Sequence, residues 1–217
     1  MAKPAEITEA RKTRASRTLA VLRLLYPDPA PHLAFRNPWE LLVATVLAAQ
    51  CTDARVNQVT PALFQALPDI PAFAAATQET LEALIHSTGF YRNKARHLIA
   101  AAKKILDDFN GFVPDNMRDL LTLDGVARKT ANVVLCGAFG KNEGMAVDTH
   151  VGRIALRLDL SDRGTPEYIE RALCVLFPRE EWGNVNHRMV SFGREYCTAR
   201  APACPSCPMR SFCPGGR

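Results

Sequence analysis

The sequence lacks an apolar run long enough to cross a membrane. Its longest run, Leu41 to Ala49, is less than half the length that a spanning helix requires, and it includes Thr45. The first twenty residues have no apolar core and carry Glu6 and Glu9, so they resemble neither a secretory signal nor a transit peptide. No segment alternates convincingly with a period of two, and there is no repeat or low-complexity stretch. We therefore expect an all-α, globular chain in the cytoplasm.

Length and charge bound the class of protein without defining it. The 217 residues suffice for one large or two small domains with a sizeable core. Lysine and arginine number 27 against 22 acidic residues, and the net charge of +5 suits a nucleic-acid partner but is common among soluble proteins. Basic residues concentrate in Lys3 to Arg17 and in Arg92 to Lys104, and for either stretch alone a solvated helix face is the simpler interpretation.

Apolar periodicity and capping residues predict roughly ten helices of ordinary length. Residues 1–14 are polar and are expected to fray, so the first helix is placed from about Ala15 to Tyr26. The segment from Tyr91 to Phe109 is the most clearly amphipathic one. The other helices are predicted over Trp39–Cys51, Asp53–Leu67 and Thr77–Gly89, from about Arg118, within Leu121–Gly140, over Asp148–Leu158, from Thr165, and over Val185–Glu195.

The chain is organised around the stretch Leu121 to Gly140. Its first part contains the turn Leu-Asp-Gly-Val, in which Gly125 can take the positive φ that other residues resist, and its second part has helical apolar spacing. With the short helix before it, the stretch predicts a helix, a hairpin and a second helix. Backbone N–H groups and a helix N-terminus form an anion site there, and Arg128 and Lys129 lie beside it, which indicates a nucleic-acid phosphate.

The seven cysteines are distributed unevenly, since three are scattered and four are close together near the C-terminus. Disulfides are not expected in a reducing compartment, whereas four clustered thiolates can complete a zinc site or hold an iron–sulfur cluster. A zinc ribbon has two close pairs. The spacing here, C-x6-C-x2-C-x5-C, has one close pair between two longer loops and fits a cubane cluster better. The candidate ligands are Cys197, Cys204, Cys207 and Cys213.

The hairpin and the cysteine spacing together resemble the endonuclease III family of helix-hairpin-helix DNA glycosylases, over about Thr18 to Cys213. The family's hairpin runs Leu-Pro-Gly-Val-Gly-Arg-Lys-Thr-Ala. Asp124 replaces the proline and brings a negative charge close to the expected phosphate, and Ala127 replaces the second glycine and narrows the backbone freedom. The resemblance implies a two-lobed fold with a six-helix domain over residues 31–141 that ends in the hairpin. Residues 1–30 and 142–217 would form the domain that carries a [4Fe-4S] cluster.

The resemblance also implies a bifunctional DNA glycosylase and AP lyase of base excision repair, which removes oxidised pyrimidines of the thymine glycol type. Lys129 stands at the family's catalytic lysine, and Asp148, in Val-Asp-Thr-His-Val, stands at its catalytic aspartate. An amine attacks the sugar C1′ only when it is neutral, and the positive charge of Arg128 and of the helix end favours that form. On the sequence alone, phosphate pairing for Lys129 and helix capping for Asp148 are the simpler roles.

Chemistry at C1′ of a paired nucleotide requires the base to leave the stack, so other residues must fill the gap. Gln50 matches the family's inserted glutamine, and Phe90 occupies the position of its apolar wedge. The simpler alternatives are a helix end for Gln50, a core position for Phe90 and a packing role for His150. The DNA-contacting residues that the resemblance implies are Gln50, Phe90, Gly125, Ala127, Arg128, Thr130 and His150.

Two other functions stay open at this point. A monofunctional glycosylase, for mismatches or adenine, is disfavoured because related monofunctional enzymes lack a lysine at the position of Lys129, and because the adenine enzyme has a further C-terminal domain. A DNA-binding paralogue with weak catalysis fits the two hairpin substitutions but leaves the Val-Asp-Thr-His motif unexplained. The expected partner is double-stranded DNA with damaged bases or abasic sites. A cytoplasmic, nucleoid-associated monomer is the default expectation.

Overall fold

The computed structural model describes residues 7–216, and within that range the chain forms α-helices and short 3₁₀ turns but no β-strand. The all-α prediction is confirmed. No helix in this part of the chain is long and apolar enough to cross a membrane. The α-helices of the described range are α1 Glu9–Leu25, α2 Pro38–Leu47, α3 Asp53–Ala66, α4 Ile70–Ala75, α5 Gln78–Ile85, α6 Tyr91–Asp108, α7 Met117–Leu120, α8 Arg128–Phe139, α9 Thr149–Arg157, α10 Pro166–Leu176 and α11 Trp182–Glu195.

The chain divides into two compact units, and the first, called the hairpin unit here, is Pro31–Glu143 with helices α2 to α8. At its centre lies α2, in which every residue from Trp39 to Leu47 is buried because the helix is apolar nearly all round. Helix α2 packs against α3, α6 and α8, and α6 packs against α4 and α5. The apolar stripe of α6 supplies Ala95, Leu98 and Ile105 to this core.

The second unit, called the cysteine unit here, comprises Met1–Ala30 and Gly144–Arg217, of which residues 7–30 and 144–216 are described. Helices α1, α9, α10 and α11 enclose its own apolar core, to which Leu22, Ile154 and Phe192 belong. Helix α1 packs against α10 and α11, and α9 packs against the same two helices. The N-terminal helix is therefore part of the same core as the C-terminal helices, although the whole hairpin unit separates them in the sequence.

A charged group also joins α1 to α11 within the cysteine unit. The guanidinium of Arg188 donates to one carboxylate oxygen of Glu181 at 2.7 Å, and the guanidinium of Arg23 donates to the other at 2.7 Å. Burial works to raise the pKa of Glu181, but the hydrogen bonds from the two guanidiniums outweigh it and hold the pKa below its ordinary value. Arg188 donates further to the carbonyl of Tyr26 at 2.9 Å, so this buried cation is well supplied with acceptors.

The N-terminal helix begins earlier than predicted, and the expectation that residues up to 14 fray is wrong for their described part. The side chain of Thr8 accepts a hydrogen bond from the N–H of Arg11 at 3.2 Å and so caps α1 at Glu9. Arg11 and Arg14 both form ion pairs with Asp159, which lies two residues past the end of α9. The composition of residues 1–14 does not reveal this support, because the acceptor Asp159 lies far away in the sequence. Residues 1–6, also covered by that expectation, lie outside the described residues.

Further helix boundaries differ from the predictions, and α5 ends at Ile85, before a 3₁₀ turn, instead of near Gly89. Helix α2 ends at Leu47 instead of Cys51, because the chain turns through Gln50, whose φ is +53°. Helix α11 begins at Trp182 instead of Val185, directly after a 3₁₀ turn. The apolar residues continue past the end of α2, and in α11 they begin after the helix has already started. Apolar periodicity alone therefore misplaces both boundaries.

Helix α4, Ile70–Ala75, was not predicted. Its N-cap is Asp69, whose carboxylate accepts a hydrogen bond from the N–H of Ala72 at 2.8 Å, and Pro71 lies in its first turn. Six residues are too few to establish a helical period, which explains the omission. The cap and the proline were the available signals.

Candidate active site and nucleic-acid interface

The predicted hairpin is present in the hairpin unit, between α7 and α8. The N–H of Leu123 donates to the carbonyl of Leu120 at 3.1 Å, and the N–H of Val126 donates to the carbonyl of Leu123 at 3.2 Å. Leu123 and Val126 are buried, while Asp124 and Gly125 between them are exposed. The turn is thus anchored in the core by its apolar residues and presents its outer edge to solvent.

Gly125 is required in this turn for two independent reasons. Its φ is +76°, in the left-handed region that the sequence predicted for it. A Cβ atom at this position would lie 2.9 Å from the Cβ atom of His97 on α6, which is closer than side chains pack. The hairpin backbone therefore approaches α6 as closely as a glycine allows.

Ala127 does not restrict the hairpin in the way that the sequence comparison with the family predicted. Its φ and ψ are −90° and 170°, an extended conformation that any L-residue adopts without strain. It is the N-cap of α8, but it provides no side-chain hydrogen bond to that helix. The N–H groups in the first turn of α8 therefore receive no cap from the side chain of Ala127. A helix end that binds an anion requires N–H groups that are not capped in this way.

Lys129 lies in the first turn of α8, next to the hairpin. Its side chain is exposed and forms no ion pair or hydrogen bond with the described residues of its unit. Arg128 is exposed beside it, whereas Thr130 is buried. The only amine in the hairpin motif is thus held at the surface that the hairpin forms.

Gln50 and Phe90, the two predicted gap-filling residues, share an uncommon backbone conformation. Their φ angles are +53° and +48°, in the left-handed region that non-glycine residues rarely adopt. Gln50 follows the end of α2, and Phe90 is the N-cap of α6. Both side chains are exposed, and Phe90 has 62% of its surface accessible, which excludes the alternative that it belongs to the core. Strained residues of this kind concentrate at functional sites.

Asp148, in the cysteine unit, caps α9 as the capping interpretation predicted. Its Oδ1 accepts a hydrogen bond from the N–H of Val151 at 2.8 Å. The side chain is half-buried, and its second oxygen has no hydrogen-bond partner among the described residues of this unit. One oxygen therefore orients the carboxylate through the helix cap.

The imidazole of His150 is held by two neighbours in the cysteine unit. A Cβ atom at Gly193 would lie 2.7 Å from its Nδ1, so the ring packs directly on the backbone of α11. The guanidinium of Arg153 lies 3.0 Å from the same nitrogen. Because a guanidinium only donates, Nδ1 is the acceptor of this contact. These contacts are those of the packing role, and the DNA contact of His150 stays a prediction.

The four C-terminal cysteines line a single cavity of the cysteine unit, together with apolar residues such as Ile154, Phe192 and Met209. Among the described residues, no three histidine, cysteine, aspartate or glutamate side chains stand where they could bind one metal ion. Burial raises the pKa of the Cys207 and Cys213 thiols, and the nearby cysteines raise it further. The four cysteines are therefore neighbours around one cavity.

Two arginines of α9 that were not singled out from the sequence contact this loop. The guanidinium of Arg157 donates to the Sγ atom of Cys197 at 3.3 Å and to the carbonyl of Thr198 at 2.8 Å. The Nε atom of Arg153 donates to the carbonyl of Cys197 at 2.8 Å. The signal in the sequence was their spacing, since residues four apart lie on one face of a helix.

Lys94 in the hairpin unit was also missed. It lies on the apolar stripe of α6, four residues before Leu98, and its ammonium group is buried against backbone carbonyls. A lysine at an apolar position of an amphipathic helix was the signal that could have found it.

Comparison with known proteins identifies the family. The family model of HhH-GPD superfamily base excision DNA repair proteins matches residues 43–179. Endonuclease III of Synechocystis sp. is 49% identical over 207 residues, which cover 95% of this chain and 94% of that protein. Endonuclease III of Bacillus subtilis is 42% identical over 194 residues, covering 89% and 88%.

A solved structure agrees with these relatives. It is that of endonuclease III trapped as a covalent intermediate with DNA, in an estranged-adenine complex, and it matches with a TM-score of 0.91 at 43% identity. The match covers 97% of this chain and 98% of that one. The chain therefore belongs to the HhH-GPD superfamily of base excision DNA repair proteins and, within it, to the endonuclease III family.

Proposed function

We propose that this protein is a bifunctional DNA glycosylase and AP lyase of base excision repair, which removes oxidised pyrimidines of the thymine glycol type from duplex DNA. The observation that carries the proposal is the position of Lys129, exposed in the first turn of α8 directly after the hairpin. Membership of the endonuclease III family supports it. So does the similarity to a relative that was trapped as a covalent intermediate with DNA, because a covalent step needs a nucleophile such as this amine.

In the proposed reaction, the neutral amine of Lys129 attacks C1′ of the damaged nucleotide. The bond between Nζ and C1′ forms as the glycosidic bond breaks, and the electron pair of that bond leaves with the base, which takes up a proton. The sugar ring opens to a protonated Schiff base on Nζ. Loss of a proton from C2′ then expels the 3′ phosphate by β-elimination and cuts the strand, and hydrolysis of the imine returns the amine.

We assign Asp148 the electrostatic part of this reaction. A carboxylate stabilises the positive charge that develops on the sugar as the base departs, and it assists the proton transfers. The hydrogen bond from the N–H of Val151 fixes the orientation of the carboxylate, which supports a preorganised role. The remaining oxygen is the one that would act.

The remaining candidate residues would hold the DNA. The helix end and hairpin offer backbone N–H groups and a guanidinium to a phosphate. Gln50 and Phe90 would enter the gap left by the extruded base and contact the opposite strand, for which their exposure and their positions beside helix termini are suited. The residues assigned to DNA contact are Gln50, Phe90, Gly125, Ala127, Arg128, Thr130 and His150.

The donor set of the cysteine unit fits a [4Fe-4S] cluster, which Cys197, Cys204, Cys207 and Cys213 would hold. The four cysteines line one cavity, and their spacing, one close pair between two longer loops, suits a cube in which each thiolate binds a different iron better than a single zinc ion. Arg157 donates a hydrogen bond to the Sγ atom of Cys197, and hydrogen bonds of this kind tune the reduction potential of such clusters. When bound, the cluster would tie the loop together and supply a one-electron redox centre.

We further propose that the two units act as the two domains that the sequence predicted, with boundaries near residues 30 and 141. The hairpin unit would carry the nucleophile and the gap-filling residues, and the cysteine unit would carry the carboxylate and the cluster. Because the substrate is chromosomal DNA, we place the protein on the nucleoid in the cytoplasm, as a monomer.

Borohydride trapping tests the nucleophile directly. Purified protein is incubated with duplex DNA that contains thymine glycol or an abasic site, and borohydride reduces any Schiff base to a stable adduct. We expect an adduct with the wild type and with Lys103→Gln, which removes an exposed lysine of the same unit. We expect none with Lys129→Gln, because the glutamine amide cannot form an imine.

The other results lead elsewhere. Base release without an adduct in the wild type would indicate a monofunctional glycosylase. Binding of damaged duplex without base release or strand cleavage would indicate a DNA-binding paralogue. An adduct that persists in Lys129→Gln would assign the nucleophile to another amine.

A further inference from the structure

Lys94 is a buried cation that the proposed reaction does not use. Only 4% of its surface is accessible, and its ammonium group donates to the carbonyl of Leu47 at 2.8 Å and to the carbonyl of Thr88 at 2.9 Å. Burial lowers the pKa of this lysine below its ordinary value. Burying such a group is unfavourable unless it is hydrogen-bonded, so an apolar residue would serve a purely structural purpose better.

The two carbonyls belong to the segments that carry Gln50 and Phe90. Leu47 is the last residue of α2, directly before the turn to Gln50. Thr88 ends the 3₁₀ turn that leads through Gly89 to Phe90. Both oxygens lie within 3 Å of one nitrogen atom, which therefore joins the two segments at their bases.

Both segments need such a restraint. Gln50 and Phe90 adopt left-handed backbone conformations, which persist only when the surrounding structure holds them. Their own side chains contribute little, since both are exposed. The carbonyl of Leu47 is one of the last in α2, where helix carbonyls have no partner within the helix, and a cation there also complements the helix dipole. Lys94 thus acts where these two segments leave their helices.

We propose that Lys94 is a positioning residue that holds the Gln50 and Phe90 segments at a fixed separation, so that both side chains enter the duplex together. The inference rests on the proposed function, because Gln50 and Phe90 contact DNA only if the protein acts on a duplex. A lysine that merely supports the core would affect activity independently of these two side chains. A positioning lysine acts through them.

A double-mutant cycle separates the two roles. Lys94→Met, which keeps an unbranched side chain one atom shorter and removes the donors, is measured in the wild type and in the Gln50→Ala/Phe90→Ala background. Thymine glycol excision is followed under single-turnover conditions. We expect Lys94→Met to slow excision about tenfold in the wild type and less than about twofold in the double-alanine background, because interacting residues are not additive. Leu98→Ala, a buried change on the same helix, should have equal effects in both backgrounds.

A spectroscopic signal supplies a second readout that a structural role would not move. A 2-aminopurine placed opposite the lesion brightens when the opposite strand is unstacked. We expect Lys94→Met to reduce this rise at saturating protein, and Leu98→Ala to leave it unchanged. If Lys94→Met fails to fold, Lys94→Gln, which retains a neutral donor, replaces it in both experiments.

The outcomes are distinct. Equal effects of the Lys94 change in both backgrounds, with an unchanged 2-aminopurine signal, would overturn the positioning role. In that case, excision by the wild type would still support the proposed function. A wild type that neither excises thymine glycol nor cleaves an abasic site would overturn the proposed function, and the positioning role with it. A vanishing effect in the double-alanine background supports the inference.

Discussion

Replacing Gly125 by alanine tests how closely the hairpin is packed on α6. An alanine in the left-handed conformation destabilises the folded state by about 1–2 kcal/mol relative to glycine. Alanine also lowers the conformational entropy of the unfolded chain, which offsets about 0.4–1 kcal/mol of that loss. The new Cβ atom would also lie 2.9 Å from the Cβ atom of His97, and crowding of that kind costs about 1–3 kcal/mol. We therefore expect Gly125→Ala to reduce the free energy of unfolding by about 1–5 kcal/mol, with a midpoint near 3 kcal/mol, measured by urea unfolding with circular dichroism.

Gly140 provides a matched control in the same unit. Its φ of +64° is also left-handed, but a Cβ atom there would meet nothing within 4 Å. Gly140→Ala should therefore lose only about 1 kcal/mol. His97→Ala should rescue Gly125→Ala only in part, because it removes the ring atoms at 3.1 and 3.2 Å but leaves the Cβ atom at 2.9 Å. Equal losses for the two glycine changes would refute the close packing of the hairpin on α6.

The remaining predictions concern the cysteine unit. Anaerobically purified protein should be brown, with broad absorption at about 400 nm, and Cys204→Ser should lose colour and iron together; a colourless wild type containing zinc would contradict the cluster. Glu181→Gln should lose about 1.5–3 kcal/mol of stability at neutral pH, because it removes a charged acceptor from Arg23 and Arg188. Since the folded-state pKa of Glu181 lies below its ordinary value of 4.5, the wild type's advantage is complete above that value and disappears as the pH falls through the folded-state pKa. An advantage in urea titrations that is independent of pH from 7 down to the acid range would contradict this.

The parts of the fold that local chemistry specifies were predictable from the sequence. Helix α6 was predicted almost to the residue, because its apolar stripe keeps a helical period over five turns. The cap of α9 by Asp148 was predicted for the same kind of reason, since an aspartate before a helical stripe has one strong local use. The positive φ of Gly125 followed from the turn alone. In each case the determining atoms lie within a few residues.

The parts that depend on distant partners were not predictable in this way. Helix α1 extends back to Glu9 with support from Asp159, and no local pattern reveals that acceptor. The left-handed conformations of Gln50 and Phe90 arise where one helix stops and another starts, and neither residue type favours them. Lys94 stands in a predicted helix, but its carbonyl partners come from two other segments. A sequence pattern assigns such a residue to one face of a helix, but it does not identify the groups from other segments that the side chain contacts.

The two departures from the family's hairpin motif have different physical consequences. At Ala127 the backbone is extended, so a methyl group introduces no strain, and the expected loss of freedom does not apply. At Gly125, where both φ and the contact with His97 require glycine, the glycine is present. The remaining departure, Asp124, is exposed on the turn and acts through its charge. A single charge at the surface is screened by salt and weakens phosphate binding without altering the hairpin. The hairpin therefore keeps its geometry, and any weakening of DNA binding in this protein should grow as the ionic strength is lowered.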